Sequence, residues 1–248
     1  MSNAYLSLDG LRAASVVLLA IAQAVMGNWP QWRRWRHTVP SRSAKQSLPI
    51  VPIDWAFAIW GLIFLGCAAF AVWQALPDQL DDPLLRRIGW FAACAFALNT
   101  IWEYHVPTRD IDWGSFAIIG AALALLLVIV MRLEAAEPHV GRTFWLAAAP
   151  LQLLAGWISA AAFVNLGSTL KLRGVHVGRT LCLALLLLAG ALGAGVAFAT
   201  GSLVYAAAVA WALFGIIVAN RVRDHDDVIA LVAGLLIPVV LAAAWFGG

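Results

Sequence analysis

Eight apolar runs, most of them about 20 residues long, constrain what this 248-residue chain can fold into. A run of about 20 apolar residues is long enough to cross a bilayer as a helix. Hydrophobic residues make up 63% of the chain and charged residues only 12%, whereas a soluble domain needs far more polar surface. Unpaired backbone groups cannot face lipid, and the alternating pattern of barrel strands is missing, so we predict an all-α integral membrane protein. The predicted spans are about 8–27, 54–76, 87–106, 114–133, 144–165, 179–199, 202–220 and 228–246.

The N-terminus shows no basic segment with a small-residue cleavage site, so we expect the first run to be retained. Cys67, Cys94 and Cys182 all fall inside predicted spans and are too scattered for a metal motif. We therefore expect packing roles for them and predict no metal site. A net charge of +3 without a soluble domain does not indicate nucleic-acid binding.

Basic residues are distributed unevenly among the connections between spans. Eleven of the 16 Lys and Arg residues lie in or beside the first, third, fifth and seventh connections. Basic residues favour the cytoplasmic side of a membrane protein, so we predict a bacterial inner-membrane protein with a cytoplasmic first loop and periplasmic termini. The eleven residues are Arg33, Arg34, Arg36, Arg42, Lys45, Arg109, Lys171, Arg173, Arg179, Arg221 and Arg223.

The chain divides by composition at about residue 170. Residues 1–170 hold most of the tryptophans and nearly all the polar residues inside spans, and we predict that they form one bundle. Residues 171–248 form three further spans rich in Ala, Leu, Gly and Val. The sixth span carries a small-residue strip, Gly190–Gly195, which could pack against a second copy or a membrane-complex partner.

Aromatic residues cluster in two places. The long first loop, Asn28–Ile53, contains Trp29, Trp32 and Trp35, whose spacing predicts one face of a short helix. This segment either lies over a cavity or only anchors to anionic headgroups. The second span opens with Trp55, Phe57 and Trp60 after two prolines. Such a helix start indicates either an interfacial aromatic belt or the mouth of a ligand site.

Polar residues inside the third and fifth spans form matching stripes. Asn99, Trp102 and Glu103 share a face of the third span, and Trp157, Ala161 and Asn165 are four apart on the fifth. Polar side chains are costly against lipid, so these faces should turn inward. Both asparagines could serve only as interhelical hydrogen-bonding groups. Glu103 either pairs with a loop arginine or forms part of a cavity rim.

These motifs resemble the translocator protein family, TspO/MBR, also called the tryptophan-rich sensory proteins. A first span is followed by a long Trp/Pro loop, and three motifs then follow in the family's order. They are Pro52, Trp55, Phe57, Trp60, Gly61 and Val72-Trp73 in the second span, Leu98, Asn99 and Trp102 in the third, and Pro150, Gly156, Trp157, Ser159, Ala161 and Asn165 in the fifth.

The resemblance implies a five-helix bundle over about residues 8–170, with a three-helix extension, and a cavity under the long loop. In this family the cavity takes flat hydrophobic molecules such as porphyrins and, in some members, sterols. The implied ligand-binding positions are Trp55, Trp60, Asn99, Trp102, Trp157, Ala161 and Asn165, with Glu103, Trp32 and Trp35 as possible rim residues. Glu103-Tyr104-His105 replaces the family's proline-rich segment, and Leu154 replaces a common tyrosine. The weak cholesterol pattern is missing, so sterol transport is not supported.

Three functions remain open from the sequence. The first is a binding or sensory membrane protein, and possible transporter, for a tetrapyrrole-like ligand, the only cofactor-like molecule that the resemblance implies. The second is an enzyme that degrades porphyrin, although no catalytic set is visible and the catalytic residues are unknown. The third is an assembly subunit of a larger membrane complex.

Overall fold

The computed structural model describes residues 7–134 and 141–248, which fold into a helical bundle. The extreme N-terminus, on which the prediction of a retained first run partly rests, lies outside the described residues. The helices are α1 (Leu8–Trp32), α2 (Val39–Lys45), α3 (Ile59–Gln74), α4 (Pro83–Arg109), α5 (Trp113–Glu134), α6 (Ala149–Leu172), α7 (Arg179–Thr200), α8 (Leu203–Ala219) and α9 (Asp227–Phe246). A 3-10 turn (Asp54–Ala58) leads into α3, and π-helical turns (Phe144–Ala148 and Asn220–Asp224) lead into α6 and follow α8.

The prediction of an all-α membrane protein is confirmed. In the described part of the chain, seven helices are long and apolar enough to cross a membrane. The eighth long helix, α4, has 27 residues and is therefore about 40 Å long, but it carries more polar side chains. It lies between α1 and α5, so these side chains can face protein instead of lipid.

Side-chain caps fix where several helices begin. Ser7, Asp82, Ser202 and Asp226 each accept a hydrogen bond from a backbone N–H in the first turn of the helix that follows. Thr38 and Ser41 form a reciprocal capping box at the start of α2. Such caps satisfy backbone donors that a helix start leaves unpaired. The short helix α2 therefore holds an ordered position within the first loop.

The spans are arranged around α6. This helix packs against α3, α5, α7 and α8, and 72% of its most apolar stretch is buried, compared with 28% for α9. Small residues allow this close packing. A Cβ added to Gly156 would lie 2.7 Å from the Cβ of Ala208 in α8, and one added to Gly66 in α3 would lie 3.2 Å from Pro150.

The connections predicted to be basic meet at one end of the bundle. Arg42 of α2 pairs with Asp110 between α4 and α5 at 2.6 Å. Lys171 at the end of α6 donates to the carbonyl oxygen of Gln46. Arg223, after α8, donates to the carbonyl oxygen of Val51 at 2.8 Å. The first loop is therefore held by an ion pair and hydrogen bonds to three later connections. This agrees with the prediction that the basic connections lie on the same side of the bundle.

The aromatic part of the first loop differs from its prediction. The prediction that Trp29, Trp32 and Trp35 share one short helix is wrong, because α1 itself runs on through Trp32. The backbone of Arg34 is left-handed, with φ of 52°, which ends the helix before Trp35. Trp32 is 64% exposed, whereas Trp35 packs edge-on against Tyr104, with ring centroids 6.2 Å apart.

The small-residue strip of α7 packs largely within the molecule. A Cβ on Gly190 would meet Leu236 of α9 at 2.7 Å, and one on Gly193 would meet Val209 of α8 at 3.0 Å. Gly195 has nothing within 4 Å of its Cβ position. The use of this strip as an interface with another protein stays a prediction, as does the division into two domains at residue 170.

Candidate functional site: two cavities that share an aromatic wall

Two neighbouring cavities lie beneath the first loop. The α6 cavity is a narrow cleft lined by one face of α6 and by Ala212 and Ile216 of α8. The α1 cavity is wider and is lined by the end of α1, the start of α3 and Glu103 of α4. The wall of the α6 cavity thus includes α8, which lies beyond residue 170.

Aromatic rings separate the cavities. Phe57, Trp60 and Trp102 line both. The Phe57 and Trp157 rings meet edge-on with centroids 5.5 Å apart, and those of Trp60 and Trp157 do so at 6.3 Å. The 3-10 turn before α3 places Phe57, and Ala56 in the same turn accepts a hydrogen bond from the Trp211 indole at 2.8 Å. Edge-to-face rings at these distances stabilise one another, so the wall has a defined shape.

Two residues in the mainly apolar lining of the α6 cavity, Trp102 and Asn165, carry buried hydrogen-bond donors. The side-chain oxygen of Asn165 lies 3.2 Å from the Ser115 hydroxyl and 3.4 Å from the Thr169 hydroxyl. The Nδ2 of Asn165 and the Nε1 of Trp102 are buried and have no hydrogen-bond partner among the described residues. Buried donors without a partner are costly, so both can gain from a ligand that carries an acceptor.

Asp112, between α4 and α5, holds this polar group in place. Its carboxylate accepts from the backbone N–H of Ser115 at 2.8 Å and lies 2.8 Å from Nε2 of His105. Its backbone oxygen accepts from the Ser115 hydroxyl at 2.8 Å and from the Thr169 hydroxyl at 3.2 Å. Burial acts to raise the pKa of Asp112, but the hydrogen bonds from Ser115 and His105 outweigh it, and the pKa is lowered. This group was not predicted from the sequence, although Asp112 three residues before Ser115 is a recognisable helix-start pattern.

The α1 cavity contains a carboxylate. Glu103 is 2% exposed, and its Oε1 accepts from Nδ2 of Asn99 at 3.3 Å. The same amide group donates to Gln23 of α1 at 3.1 Å. The other oxygen, Oε2, is buried and accepts no hydrogen bond from the described residues. Glu103 thus lies inside the protein and forms no ion pair within the described part of the chain.

The structure brings together most of the predicted site residues. Trp60, Trp102, Trp157, Ala161 and Asn165 all line the α6 cavity. These residues come from three helices, α3, α4 and α6. Trp60 and Trp102 also line the neighbouring α1 cavity, together with Glu103.

Other predicted residues lie apart from both cavities. Trp55 is 45% exposed on the outer surface and packs against Trp211 and Phe214 of α8, at 5.4 and 5.9 Å between centroids. Asn99 is buried behind Glu103, and its amide is engaged by Gln23 and Glu103 rather than facing a cavity. The exposed Trp32 and the Trp35 ring likewise line neither cavity.

Comparisons with known proteins agree with this architecture. No curated protein and no solved structure gives a match to the chain. A protein family described as TSPO-like protein matches residues 13–246, which include the three C-terminal helices as well as the first five spans. Because this match covers nearly the whole chain, the protein belongs to the TSPO-like protein family of membrane ligand-binding and sensory proteins.

Proposed function

We propose that the protein binds a flat hydrophobic ligand of the tetrapyrrole type in the α6 cavity, as a receptor or sensor within the membrane. The observation that carries this proposal is the edge-on packing of Phe57, Trp60 and Trp157 around an apolar space that also holds two donors without partners. Aromatic walls with a few convergent polar groups are typical of small-molecule sites.

The two donors would fix the orientation of the ligand. The Asn165 amide oxygen lies beside the Ser115 and Thr169 hydroxyls, and its NH2 group has no partner among the described residues. The Trp102 indole N–H lies in the same lining. A ring nitrogen or carbonyl oxygen could accept from either donor, and each such bond contributes about 0.5–1.5 kcal/mol.

The first loop would complete the site on its polar side. Ser43 of α2 lines the α6 cavity, and α2 carries Lys45 in its last turn. Arg33, Arg34 and Arg36 lie just before α2 in the chain. Tetrapyrroles carry carboxylate side chains, and this basic segment is the part of the site with complementary charge.

The direct test is to purify the protein in a mild non-ionic detergent and record its absorption spectrum and the mass of any bound molecule. The purified protein is then titrated with protoporphyrin IX while tryptophan emission is followed. We expect saturable quenching with a Kd of about 1 µM or lower, equivalent to roughly 8 kcal/mol. Quenching that rises linearly without saturation, together with no co-purified pigment, would rule out this binding function.

We also propose that the protein lies in a bacterial inner membrane with its first loop in the cytoplasm. This orientation is supported by the basic bias of the connections that meet at the loop end of the bundle.

A further inference from the structure

The α1 cavity has a single formally charged group. Its lining from α1 and the first loop consists of Gly27, Asn28, Pro30, Gln31, Val39 and Pro40, which carry no charge. Glu103 supplies the charge, with Oε1 engaged by Asn99 and Oε2 buried without a partner in the described part of the chain. The loop arginine Arg42 is paired with Asp110 at 2.6 Å and is not available to it.

A buried carboxylate without a counter-charge is costly, and the cost is removed when a cation of matching size binds beside it. The cavity does not suit a divalent metal ion, because the described residues contain no group of three His, Cys, Asp or Glu side chains that could hold one. One carboxylate among neutral amide and aromatic side chains fits an organic cation better.

Four aromatic side chains line the same cavity as this carboxylate. Trp60 and Phe64 are stacked with centroids 5.2 Å apart, and both line the α1 cavity together with Phe57 and Trp102. Aromatic faces attract ammonium groups, and the attraction grows when the site is shielded from water. The cavity therefore combines an acidic side chain with an aromatic cage, which consists of Phe57, Trp60, Phe64 and Trp102.

Gly27 keeps this arrangement in place. A Cβ at this position would come within 2.4 Å of the Phe64 ring and 3.0 Å of Oε1 of Glu103. Only a residue without a side chain leaves room for both groups where α1 passes them.

From this geometry we propose that the α1 cavity is a second binding site, for a lipophilic amine. Its ammonium group would donate to Oε2 of Glu103 and lie against the aromatic cage, and its apolar body would fill the space between α1 and α3. This site lies across the shared aromatic wall from the α6 cavity, and the proposal does not rest on tetrapyrrole binding.

Three probes with the same flat ring and different head groups test the proposal. 1-Pyrenemethylamine is a cation, 1-pyrenemethanol is neutral, and 1-pyrenecarboxylate is an anion. Binding to the protein in non-ionic detergent is followed by energy transfer from tryptophan to pyrene. We expect the amine to bind about tenfold or more tightly than the alcohol, equivalent to about 1.4 kcal/mol, and the carboxylate to bind most weakly. Equal affinity of the wild type for amine and alcohol would overturn the proposal without any variant.

Variants of Glu103 test whether this residue causes the preference for the amine. Glu103→Gln keeps the shape of the side chain and should bring the affinities for amine and alcohol together. Glu103→Asp keeps the charge and should retain the order of the three probes. Glu134→Gln removes a carboxylate that lines neither cavity, and should keep the full preference for the amine. An amine preference that persists unchanged in Glu103→Gln would also refute the site.

A further variant separates this proposal from tetrapyrrole binding. Trp157 lines the α6 cavity and not the α1 cavity, although its ring packs against Phe57 and Trp60 of the shared wall. Trp157→Leu should therefore weaken protoporphyrin binding, whereas the ratio of amine to alcohol affinity, which Glu103 sets, should stay as in wild type. Protoporphyrin affinity thus tests one proposal, and the amine-to-alcohol ratio tests the other.

Discussion

Gly156 of α6 lies so close to Tyr205 of α8 that a Cβ on the glycine would come within 2.4 Å of the tyrosine's backbone oxygen. One turn along α6, the hydroxyl of Ser159 lies 2.8 Å from the Tyr205 hydroxyl. This close contact packs α8 against α6, so that Ala212 and Ile216 of α8 line the α6 cavity. The cavity is therefore built by more than the first five spans.

Gly156→Ala should destabilise the fold. The added methyl group has no room beside the Tyr205 carbonyl, so the helices must separate, at a cost of about 1–3 kcal/mol. Thermal unfolding in detergent, followed by circular dichroism, measures the loss. Gly120→Ala is the matched control, because nothing lies within 4 Å of its Cβ position and alanine is the better helix former. Equal melting temperatures for the two variants would contradict the tight contact.

Trp157→Leu should weaken protoporphyrin binding by about 1–3 kcal/mol, because it removes a ring that meets Phe57 and Trp60 in the cavity wall. Trp55→Leu is the control. Trp55 packs on the outside of α8, so its loss should leave the Kd within about twofold of wild type. Fluorescence titration of both purified variants with protoporphyrin measures the two Kd values. A larger loss of affinity in Trp55→Leu than in Trp157→Leu would show that the ligand does not bind in the α6 cavity.

Trp102→Phe tests whether the buried indole N–H contacts the ligand. Phenylalanine keeps an aromatic wall but removes the donor that has no partner among the described residues. We expect protoporphyrin affinity to fall by roughly 1 kcal/mol while thermal stability stays close to wild type. A stability loss with unchanged affinity would instead assign Trp102 to packing alone.

Asp112→Asn should lower stability at neutral pH by roughly 0.5–1.5 kcal/mol, since it weakens the hydrogen bonds at the start of α5. The pKa of Asp112 is lowered in the fold despite its partial burial. Its charged form therefore stabilises the protein above about pH 4, the unfolded value, and this contribution disappears as the pH falls through the lower folded value. Melting temperatures between pH 7 and pH 3 should show the gap between wild type and variant narrowing below about pH 4. A gap that stays constant would show that the charge of Asp112 does not contribute.

Single cysteines test the orientation. In a Cys94→Ala background, which removes the exposed native thiol, a cysteine at Lys45 in α2 should resist an impermeant maleimide in intact cells and react after lysis. A cysteine at Asp78, in the turn after α3, lies at the other end of the bundle and should react from outside. The reverse pattern would place the first loop in the periplasm.

The helices were predictable from sequence because each apolar run in a membrane must satisfy its backbone hydrogen bonds within its own helix. The contacts between side chains of different helices were not predictable. The helical periodicity correctly put Asn99 and Glu103 on one face, yet it could not show that Gln23 of α1 lies at the same depth and engages the Asn99 amide. Hydrogen bonding between side chains of two helices depends on how far the helices are shifted along their axes relative to each other. The sequence of one helix alone does not determine this shift.

Trp55 shows a second limit. The family resemblance placed it with Trp60 in the cavity, but the 3-10 turn over Asp54–Ala58 directs Trp55 outward to α8. The role of α8 in the cavity was also missed, since its sequence is nearly featureless. Its contribution comes from the small and aliphatic side chains of Ala212 and Ile216, which form part of the cavity wall but carry no polar group that a sequence pattern would single out.

The shared wall of Phe57, Trp60 and Trp102 has a thermodynamic consequence. A molecule that shifts these rings from one side changes the shape of the space on the other side. The two occupancies are then linked, and the factor by which one molecule changes the affinity of the other must be the same in both directions. Two unlike molecules could regulate each other across a single layer of rings, with no movement of the helices.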